Sequence, residues 1–563
     1  MGLNHFPIQA MGLNLARPTY KAPRLAAQAQ NHQFQIFPAP VLGLDASLPF
    51  TDQDPRAATV LENAIVRRSG DELRGGYRRH NSNLGGVGTE SPVVALMAYL
   101  PPRGIGSAFL ARLFAACENS NVYDVSDVTD ESTVLSPSLA AVGQVEPGHF
   151  SWINFATANT NYLCAVSAGA GYFTFDHTGG WIDRNAAMSG TSSLDFDFVM
   201  AWKNRLWFIK ENSTQAWYLP VGSITGALVM FDFGPLLTHG GELRAMASWT
   251  VDGGDGIDDR LVIVGAAGDV LIYGGTDPTS LSTFGLIGRW FVGAPPAGRR
   301  FMSNYGGDLN LLCETGIEYM SRVIQGRGNK DPEQPANTPS LRYNEVIAAT
   351  VRATRLLPGW NMVQVPSLES TIVVTPYEEK ISGVQFCYST LPTAWSTFKG
   401  MPVKCAEVFD GDMFFGTRYG TVCRGFSADT DDELTTGTAG TDVTASVQTS
   451  FVSPSENKMQ QKIPQLIMPM FQATQAPSIR ARVNSEWRGD DVEGSPAFAP
   501  DTGSLWDVGL WDQAIWGGAV NTYFAWLGAT GLGSYFSLRL QFKGKRGTIF
   551  TSWKFVFSLG GIM

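Results

Sequence analysis

The chain has 563 residues, a formal net charge of −10, 61 glycines, an 11% aromatic share and only 16% charged residues. Its length exceeds one ordinary hydrophobic core, and its charge content is below the ~25% that is typical of soluble domains. The acidity argues against a nucleic-acid binder, because affinity for phosphates comes from Lys and Arg that release counterions. The same acidity suits a passage that must not hold DNA.

The N-terminal stretch, residues 1–55, is rich in Ala, Pro, Gln and Asn and shows little periodicity. Such segments are usually extended arms or are disordered until bound. We expect an N-terminal arm over residues 1–55. Docking on a neighbour and disorder remain open as alternatives.

A strongly basic patch follows in RRSGDELRGGYRRH, residues 67–80. It contains five arginines, which are Arg67, Arg68, Arg74, Arg78 and Arg79. One interpretation is contact with DNA phosphates or with an acidic partner. The other is a solvated strand pair around Gly75 and Gly76.

One short pattern then recurs along the chain, and it is clearest in RLVIVGAAGDVLIY at residues 260–273. Two apolar, β-branched runs around a Gly-rich break predict a β-hairpin. Seven such segments begin at residues 113, 161, 204, 260, 309, 371 and 413, in steps of 42 to 62 residues. Repeats of that size indicate propellers, solenoids or arrays, and one four-stranded blade takes about one period. We therefore predict an all-β fold, a β-propeller of about six or seven blades over residues 56–430. An irregular β-sandwich is the alternative.

Two segments interrupt or end the repeats. The Pro- and Asn-rich stretch at residues 326–339 predicts a long loop on the rim, and the residues after it, 343–356, favour a short helix. The acidic run at residues 427–442 predicts a domain boundary.

The last part of the chain, residues 438–563, predicts a Trp-rich antiparallel β-domain. Residues 535–543 and 553–557 alternate apolar and polar side chains, as expected for sheets with one covered face. Six of the 15 tryptophans lie here. That density marks a small core or a subunit interface, and we expect Trp506 to Trp516 to be buried against other parts of the protein.

The six cysteines lie at 117, 164, 313, 387, 405 and 423 and form no C-x-x-C pair. We interpret them as small buried hydrophobes in a reducing compartment. A membrane span and a signal peptide are not expected, because no apolar run of about 18 residues and no basic-then-apolar start occurs.

Motifs of catalysis are scarce. The chain contains no complete P-loop, nucleophile elbow or dinucleotide fingerprint, and its six histidines are scattered. The acidic loop VDGGDGIDDR offers Asp252, Asp255 and Asp258 as weak candidates for a Ca²⁺ site, with an acidic turn as the alternative. No spacing singles out two facing carboxylates for glycoside hydrolysis. We expect no cofactor and no enzymatic activity.

Several stretches resemble the tail nozzle proteins (tail tubular protein B family) of short-tailed bacteriophages. The similarity lies in residues 357–360 and 393–425 (TAWSTFKGMPVKCAEVFDGDMFFGTRYGTVCRG), 202–320 and 505–518 (LWDVGLWDQAIWGG). These are its clearest segments; as a whole the resemblance extends over about two-thirds of the chain, and it is one of general sequence character rather than of a catalytic motif.

The resemblance implies a structural virion protein with a propeller body. Its homo-hexamer would close the tail channel below the adaptor ring, retain the genome and carry fibres or tailspikes. Double-stranded DNA would touch it transiently at ejection. It implies a place in the virion tail after assembly in the host cytoplasm, with no stable membrane insertion. Residues 1–55 and the loop at 326–339 fit no pattern of that family. We hypothesise separately that long inter-strand loops, including the loop at 326–339, form a constriction or a fibre dock.

Two other functions remain as alternatives. One is a carbohydrate-active propeller, a depolymerase or lectin-like tail component. The other is an adhesion or scaffold propeller of cellular origin.

Overall fold

The computed structural model describes most of the chain, and strands dominate it, at 54% against 6% helix. The described residues are 32–86, 90–101, 111–128, 133–137, 148–158, 160–252, 257–280, 283–305, 307–326, 342–376, 383–434, 440–492 and 520–562. Five strands precede the series of repeated sheets. They are β1 (His32–Pro38), β2 (Ala58–Glu62), β3 (Ala64–Arg67), β4 (Gly70–Leu73) and β5 (Gly76–Asn81).

Seven antiparallel sheets then follow one another along the described chain, and we number them ring sheets 1 to 7. Ring sheets 1 to 4 are four-stranded blades. Ring sheet 1 contains β6 (Val93–Tyr99), β7 (Arg112–Cys117), β8 (Val122–Asp124) and β9 (Thr133–Leu135), and ring sheet 2 contains β10 (Ser151–Ala156), β11 (Asn161–Ser167), β12 (Gly171–Asp176) and β13 (Gly180–Asp183). Ring sheet 3 contains β15 (Phe196–Trp202), β16 (Arg205–Lys210), β17 (Gln215–Tyr218) and β19 (Val229–Asp232), and ring sheet 4 contains β20 (Leu243–Asp252), β21 (Ile257–Gly265), β22 (Asp269–Gly275) and β23 (Phe284–Phe291). Two short strands, β14 (Met188–Ser189) and β18 (Gly226–Ala227), pair with each other in parallel.

Ring sheet 5 has three strands, and two further four-stranded blades complete the ring. Ring sheet 5 contains β24 (Met302–Tyr305), β25 (Asp308–Cys313) and β26 (Gly316–Tyr319). Ring sheet 6 contains β27 (Asn361–Val365), β28 (Ser370–Val374), β29 (Gln385–Ser389) and β30 (Ala394–Phe398). Ring sheet 7 contains β31 (Cys405–Phe409), β32 (Asp412–Gly416) and β33 (Val422–Ala428), with β5 as its fourth strand. Helices α1 (Met320–Val323) and α2 (Asn344–Thr354) follow ring sheet 5, and α2 confirms the predicted helix.

Contacts between neighbouring sheets close the ring. The first strand of each ring sheet contacts the next sheet, and β31 of ring sheet 7 contacts β6 of ring sheet 1. Over its described residues the protein is therefore a β-propeller with six four-stranded blades, and the three-stranded ring sheet 5 fills the remaining place. This confirms the predicted propeller and excludes an irregular sandwich for this part of the chain.

All seven predicted hairpins are present; six are the central pair of a four-stranded blade, and the hairpin of ring sheet 5 is formed by its last two strands, β25 and β26. In the clearest one, Val262, Ile263 and Ile272 are fully buried. Its turn needs glycine: Gly268 has a φ of +103°, and a Cβ there would lie 2.4 Å from the carbonyl carbon of Gly293. The hairpins were predictable because apolar runs and turn residues are local signals.

A two-sheet sandwich follows the propeller. Its later strands are β34 (Thr430–Asp431), β35 (Thr441–Asp442), β36 (Thr444–Thr449), β37 (Gln460–Ala473), β38 (Ser478–Ser485), β39 (Asn521–Phe524), β40 (Leu527–Gly528), β41 (Phe536–Lys543) and β42 (Ile549–Ile562). One sheet, here called sheet A, has the order β3-β4-β42-β37-β39, with β1 also on β42 and β40 also on β37. The other half, β2-β36-β41-β38, continues ring sheet 6 through β30 as one eight-stranded sheet.

Aromatic side chains fill the space between the two sheets. Phe471 packs on Phe542 with ring centroids 5.1 Å apart, and Phe536 packs on Phe555 at 5.3 Å. The predicted covered face of β41 is confirmed, since its alternate apolar residues are all buried. Arg539, predicted on the opposite face, is also buried because β41 lies between two other strands and Asp491 accepts its hydrogen bond at 2.8 Å.

The N-terminal strands lie in the sandwich rather than in the ring. Residues 58–73, which the sequence assigns to the propeller, pair with C-terminal strands, for example Leu61 with Val447. Part of the predicted arm also has a defined place, because β1 pairs with β42 and Phe37 stacks on Trp553 at 4.8 Å. The reason is apolar burial: the inward residues of β1 to β4 belong to the same hydrophobic cluster as the inward residues of the C-terminal strands. Residues 1–31 lie outside the described residues.

All six cysteines are buried and free, as expected. Burial raises the pKa of Cys117, Cys164, Cys313 and Cys405 to about 12 and that of Cys387 to about 11. These thiols therefore pack as hydrophobic groups and are poor nucleophiles.

One carboxyl group is buried without a partner. Asp71 on β4 is fully buried opposite Val66 and Phe550, and neither of its side-chain oxygens has a hydrogen bond. Burial raises its pKa to about 8. The folded protein consequently keeps a proton at Asp71 between about pH 4 and pH 8 that the unfolded chain releases.

We predict that Asp71 makes the protein less stable as the pH rises through this window. Because the unfolded state binds fewer protons here, the free energy of unfolding falls by up to about 1.4 kcal/mol per pH unit from this group. Asp71→Asn should remove that slope and raise the urea midpoint at pH 7. Urea denaturation at pH 5, 6, 7 and 8 measures it. Glu72→Gln is the control, because Glu72 is partly exposed and pairs with Arg67 at 2.7 Å. Equal pH slopes in the wild type and in Asp71→Asn would contradict the prediction.

Candidate functional site: the centre of the ring and the arginine clasp

The first strands of the ring sheets surround a central cavity of about 420 Å³. It lies where these strands begin, and every ring sheet contributes to its wall. Residues from all parts of the ring line it, including Leu96, Ser151, Asp197, Arg244, Arg300, Asn361 and Ala406. This is where a propeller usually presents a ligand-sized space.

Two adjacent arginines cross the centre. Arg299, at the start of ring sheet 5, pairs with Asp197 of ring sheet 3 and donates to the carbonyl of Arg244 in ring sheet 4 at 2.7 Å. Arg300 pairs with Glu407 of ring sheet 7, and its guanidinium lies 4.7 Å from the ring centre of Trp152 in ring sheet 2. Together they join five ring sheets across the axis.

The wall of the cavity is balanced in charge. Its described lining has four carboxylates and four cations: Asp195, Asp197, Glu211 and Glu242 against Arg244, Arg299, Arg300 and Lys404. Lys404 pairs with Glu118, Arg244 with Glu242 at 3.2 Å, and Lys210 with Asp195 at 3.0 Å. The cavity is thus neither an acidic wall nor a cradle for phosphates.

The cavity is also small. A volume of about 420 Å³ lies in the range of small-molecule pockets, about 300–1,000 Å³. Duplex DNA, whose major groove alone is about 12 Å wide, does not fit there. Any passage for DNA would have to run outside the ring centre.

The basic patch at residues 67–80 has a structural role, which we call the arginine clasp. The side chain of Arg74 is fully buried and uses all five of its N–H groups. It donates to Asp431 at 2.7 and 2.8 Å, to Asn63 at 2.9 Å, and to the carbonyls of Lys399 at 2.8 Å and Gly75 at 3.1 Å. Such a bidentate pair with every donor satisfied is the strong form of a buried ion pair.

The neighbouring arginines of the clasp are paired as well. Arg78 contacts Glu433 at 3.0 Å, and Arg79 contacts Asp432 at 2.7 Å. These contacts join β5 to the acidic run that leaves the propeller. The structure therefore favours a structural role for this patch over a phosphate-binding role. The patch differs from the expected solvated strand pair because carboxylates bind Arg74, Arg78 and Arg79. Arg68 is exposed.

Two of the three candidate metal residues, Asp252 and Asp258, lie at the end of β20 and near the start of β21. The backbones of Asp252 and Asp258 belong to these strands, whereas their side chains and the whole of Asp255 fall outside the described residues. Asp259 accepts hydrogen bonds from Thr250 at 2.8 Å and from Lys203 at 3.2 Å, and these contacts lower its pKa. Within the described part of the chain, no three His, Cys, Asp or Glu residues are grouped to hold a metal ion.

Two other predicted features cannot be placed. Most of the loop at 326–339 and the stretch from Trp506 to Trp516 lie outside the described residues. For the described residues, no helix is both long and apolar enough to cross a membrane.

Sequence reasoning missed the cavity residues because it followed the hairpins, which are the middle strands of each sheet. The cavity is built from the residues at the start of each first strand. A local signal did exist, since Arg299 and Arg300 are adjacent cations directly before the apolar residues of β24.

No protein-family profile and no curated protein sequence matches the chain. Several solved structures are similar to it. One is BamB from Moraxella catarrhalis, with 10% identity, a TM-score of 0.33 and coverage of 56% of this chain and 79% of that chain. Another is YCF48 bound to D1 peptide, with 11% identity, a TM-score of 0.31 and coverage of 60% and 93%. A third is BBS1N in complex with ARL6DN, with 11% identity, a TM-score of 0.37 and coverage of 63% and 96%. Similarity at this level carries no argument about function.

We predict that removing one partner of the Arg74–Asp431 pair strongly destabilises the fold. Arg74→Leu leaves Asp431 buried without its partner and should lower the free energy of unfolding by about 3–5 kcal/mol. Arg79→Leu, which breaks a pair that is about 40% exposed on both sides, should cost less than about 1 kcal/mol. Denaturation in guanidinium chloride measures both.

A double variant makes the comparison sharper. Arg74→Leu with Asp431→Leu removes both charges and should recover part of the loss, since no charge is then left buried alone. If Arg74→Leu and Arg79→Leu have equal effects, the clasp does not have the role assigned to it.

Proposed function

We propose that the protein is a structural component of a virion, the distal tail nozzle of a short-tailed bacteriophage. The single observation that supports this best is the mechanical union of the two domains. One eight-stranded sheet runs from ring sheet 6 into the sandwich, and the buried clasp ties the chain where it enters and leaves the ring. Such a body can carry load without its domains moving apart.

The sequence resemblance fits this architecture in two described regions. Residues 202–320 form ring sheets 4 and 5 and ring sheet 3 without most of β15, and residues 393–425 form the end of ring sheet 6 and most of ring sheet 7. Both regions surround the braced centre. The third region, residues 505–518, lies outside the described residues.

Assembly from several copies is part of the proposal. Because duplex DNA does not fit the ring centre, a channel would have to form between copies of the chain. The tail nozzle family implies six copies. Six copies together carry −60 formal charges, six times the −10 of one chain. Acidic residues facing such a channel would repel phosphates, so that DNA slides without being held.

The remaining parts of the proposal concern partners and place. The hexamer would attach to adaptor proteins of the head–tail connector and would carry fibres or tailspikes in the virion tail, after assembly in the host cytoplasm. Exposed apolar side chains on the outer strands of ring sheets 3 and 4, such as Met230, Ile287 and Phe291, offer surface for such contacts.

We predict that the purified protein forms a ring of about six copies. Light scattering should then give a mass close to six times the 61.0 kDa of one chain, and electron microscopy of tails should place the ring at their distal end. The wild-type protein incubated with host envelope polysaccharide serves as the activity control. A monomer that releases reducing ends from the polysaccharide would overturn the proposal in favour of a carbohydrate-active propeller.

A further inference from the structure

Sheet A has an apolar surface on the side that faces away from the sandwich core. We call it the outer sandwich face and define it by Phe34 and Ile36 on β1, Leu466 on β37, Phe524 on β39, and Lys554 and Val556 on β42. Phe34, Ile36 and Phe524 are 72%, 52% and 56% exposed.

Strand pairing places these side chains in neighbouring rows. Phe34 lies opposite Val556, which lies opposite Leu466 on its other side. The next row has Ile36, Lys554 and Met468, of which Met468 is buried, and the third has Pro38, Ser552, Met470 and Phe524. The intervening residues, such as Trp553 and Phe555, point into the core and are buried.

This pattern is unusual for a sheet at the surface. An antiparallel sheet with one solvated face normally alternates apolar and polar residues, so that the outer side is polar. Here both sides are apolar, and within these three described rows Lys554 is the charged residue. Contiguous exposed apolar surface marks a docking site.

The chain itself provides a matching segment. Residues 493–519 follow Val492 and precede Val520, which leads directly into β39 at the edge of the outer sandwich face. This segment includes Trp506, Trp511 and Trp516. At about 3.3 Å per extended residue it is long enough to cross four strands, about 14 Å between the outermost two, and to return.

Charge distinguishes this segment from other occupants. It carries Glu493, Asp501, Asp507 and Asp512 and no Lys or Arg, which complements Lys554. The N-terminal residues 1–31 have the opposite character, with three basic residues and no acidic one. A second copy docked on the same face about a twofold axis would bring one Lys554 towards another, which is unfavourable.

We propose that the outer sandwich face is the docking surface for residues 493–519 of the same chain. The tryptophans supply the apolar contacts and Asp507 or Asp512 approaches Lys554. This inference does not depend on the proposed function, since it concerns one chain.

Limited proteolysis tests the proposal. A protease that cleaves after aromatic residues reports the exposure of Trp506, Trp511 and Trp516, and cleavage follows the population of the undocked segment when docking is fast. Leu466→Asp should accelerate cleavage at these sites by about tenfold or more, because it places a charge in the apolar contact. Lys554→Glu should accelerate it by about threefold, whereas Lys554→Arg should not. Mass spectrometry of the fragments gives the rates.

Three further variants make the result decisive. Asp507→Lys with Asp512→Lys on the Lys554→Glu background should restore slow cleavage, which a merely destabilised fold would not do. Leu391→Asp, at a similarly exposed leucine in ring sheet 6, is the matched control and should leave the rates unchanged. Equal cleavage in the wild type, Leu466→Asp and Lys554→Glu would overturn the proposal. So would wild-type cleavage at the rate of a free peptide with the same sequence. Rates that rise on dilution of the protein would assign the docked segment to a second copy and would also overturn it.

Discussion

The buried pair between Arg74 and Asp431 is the constraint on which the architecture depends. Arg74 lies where the chain passes from the sandwich into the ring, Lys399 lies between ring sheets 6 and 7, and Asp431 lies where the chain leaves the ring. One guanidinium therefore fixes both crossings between the domains and the link between ring sheets 6 and 7. Its desolvation cost offsets much of its attraction, so its main effect is to specify which segments meet.

The consequences extend through the propeller. With β5 held beside β33, the strand before ring sheet 1 becomes the last strand of ring sheet 7, and the ring is closed by hydrogen bonds rather than by packing alone. Arg299 and Arg300 then brace the centre from inside. The ring is therefore held both where β5 pairs with β33 and across its axis.

The sequence predicts what is local and misses what is distant. The seven hairpins were visible because the apolar runs and the turn glycines of each one lie next to each other along the chain. By contrast, the pairing of Leu61 with Val447 joins residues separated by most of the chain and leaves no periodic trace in either segment. The arginines of the basic patch were identified, but their carboxylate partners depend on ring closure, so contact with DNA and a structural role could not be separated beforehand. The cavity has the same origin, since its charges meet only across the axis.

The distribution of charge and apolar surface separates two kinds of contact. In the arginine clasp and at the ring centre, the charged side chains are paired and largely buried. They therefore stabilise contacts within the molecule and contribute little to the electrostatic potential that a partner would meet. On the outer sandwich face, apolar side chains surround Lys554, and a single cation in such a setting selects an acidic segment while the apolar rows supply the contact area. The net charge of −10 must therefore come from surfaces outside the arginine clasp and the outer sandwich face. If such chains form a conduit, those surfaces would repel DNA, and the arginine clasp with the β5–β33 pairing would make the conduit rigid.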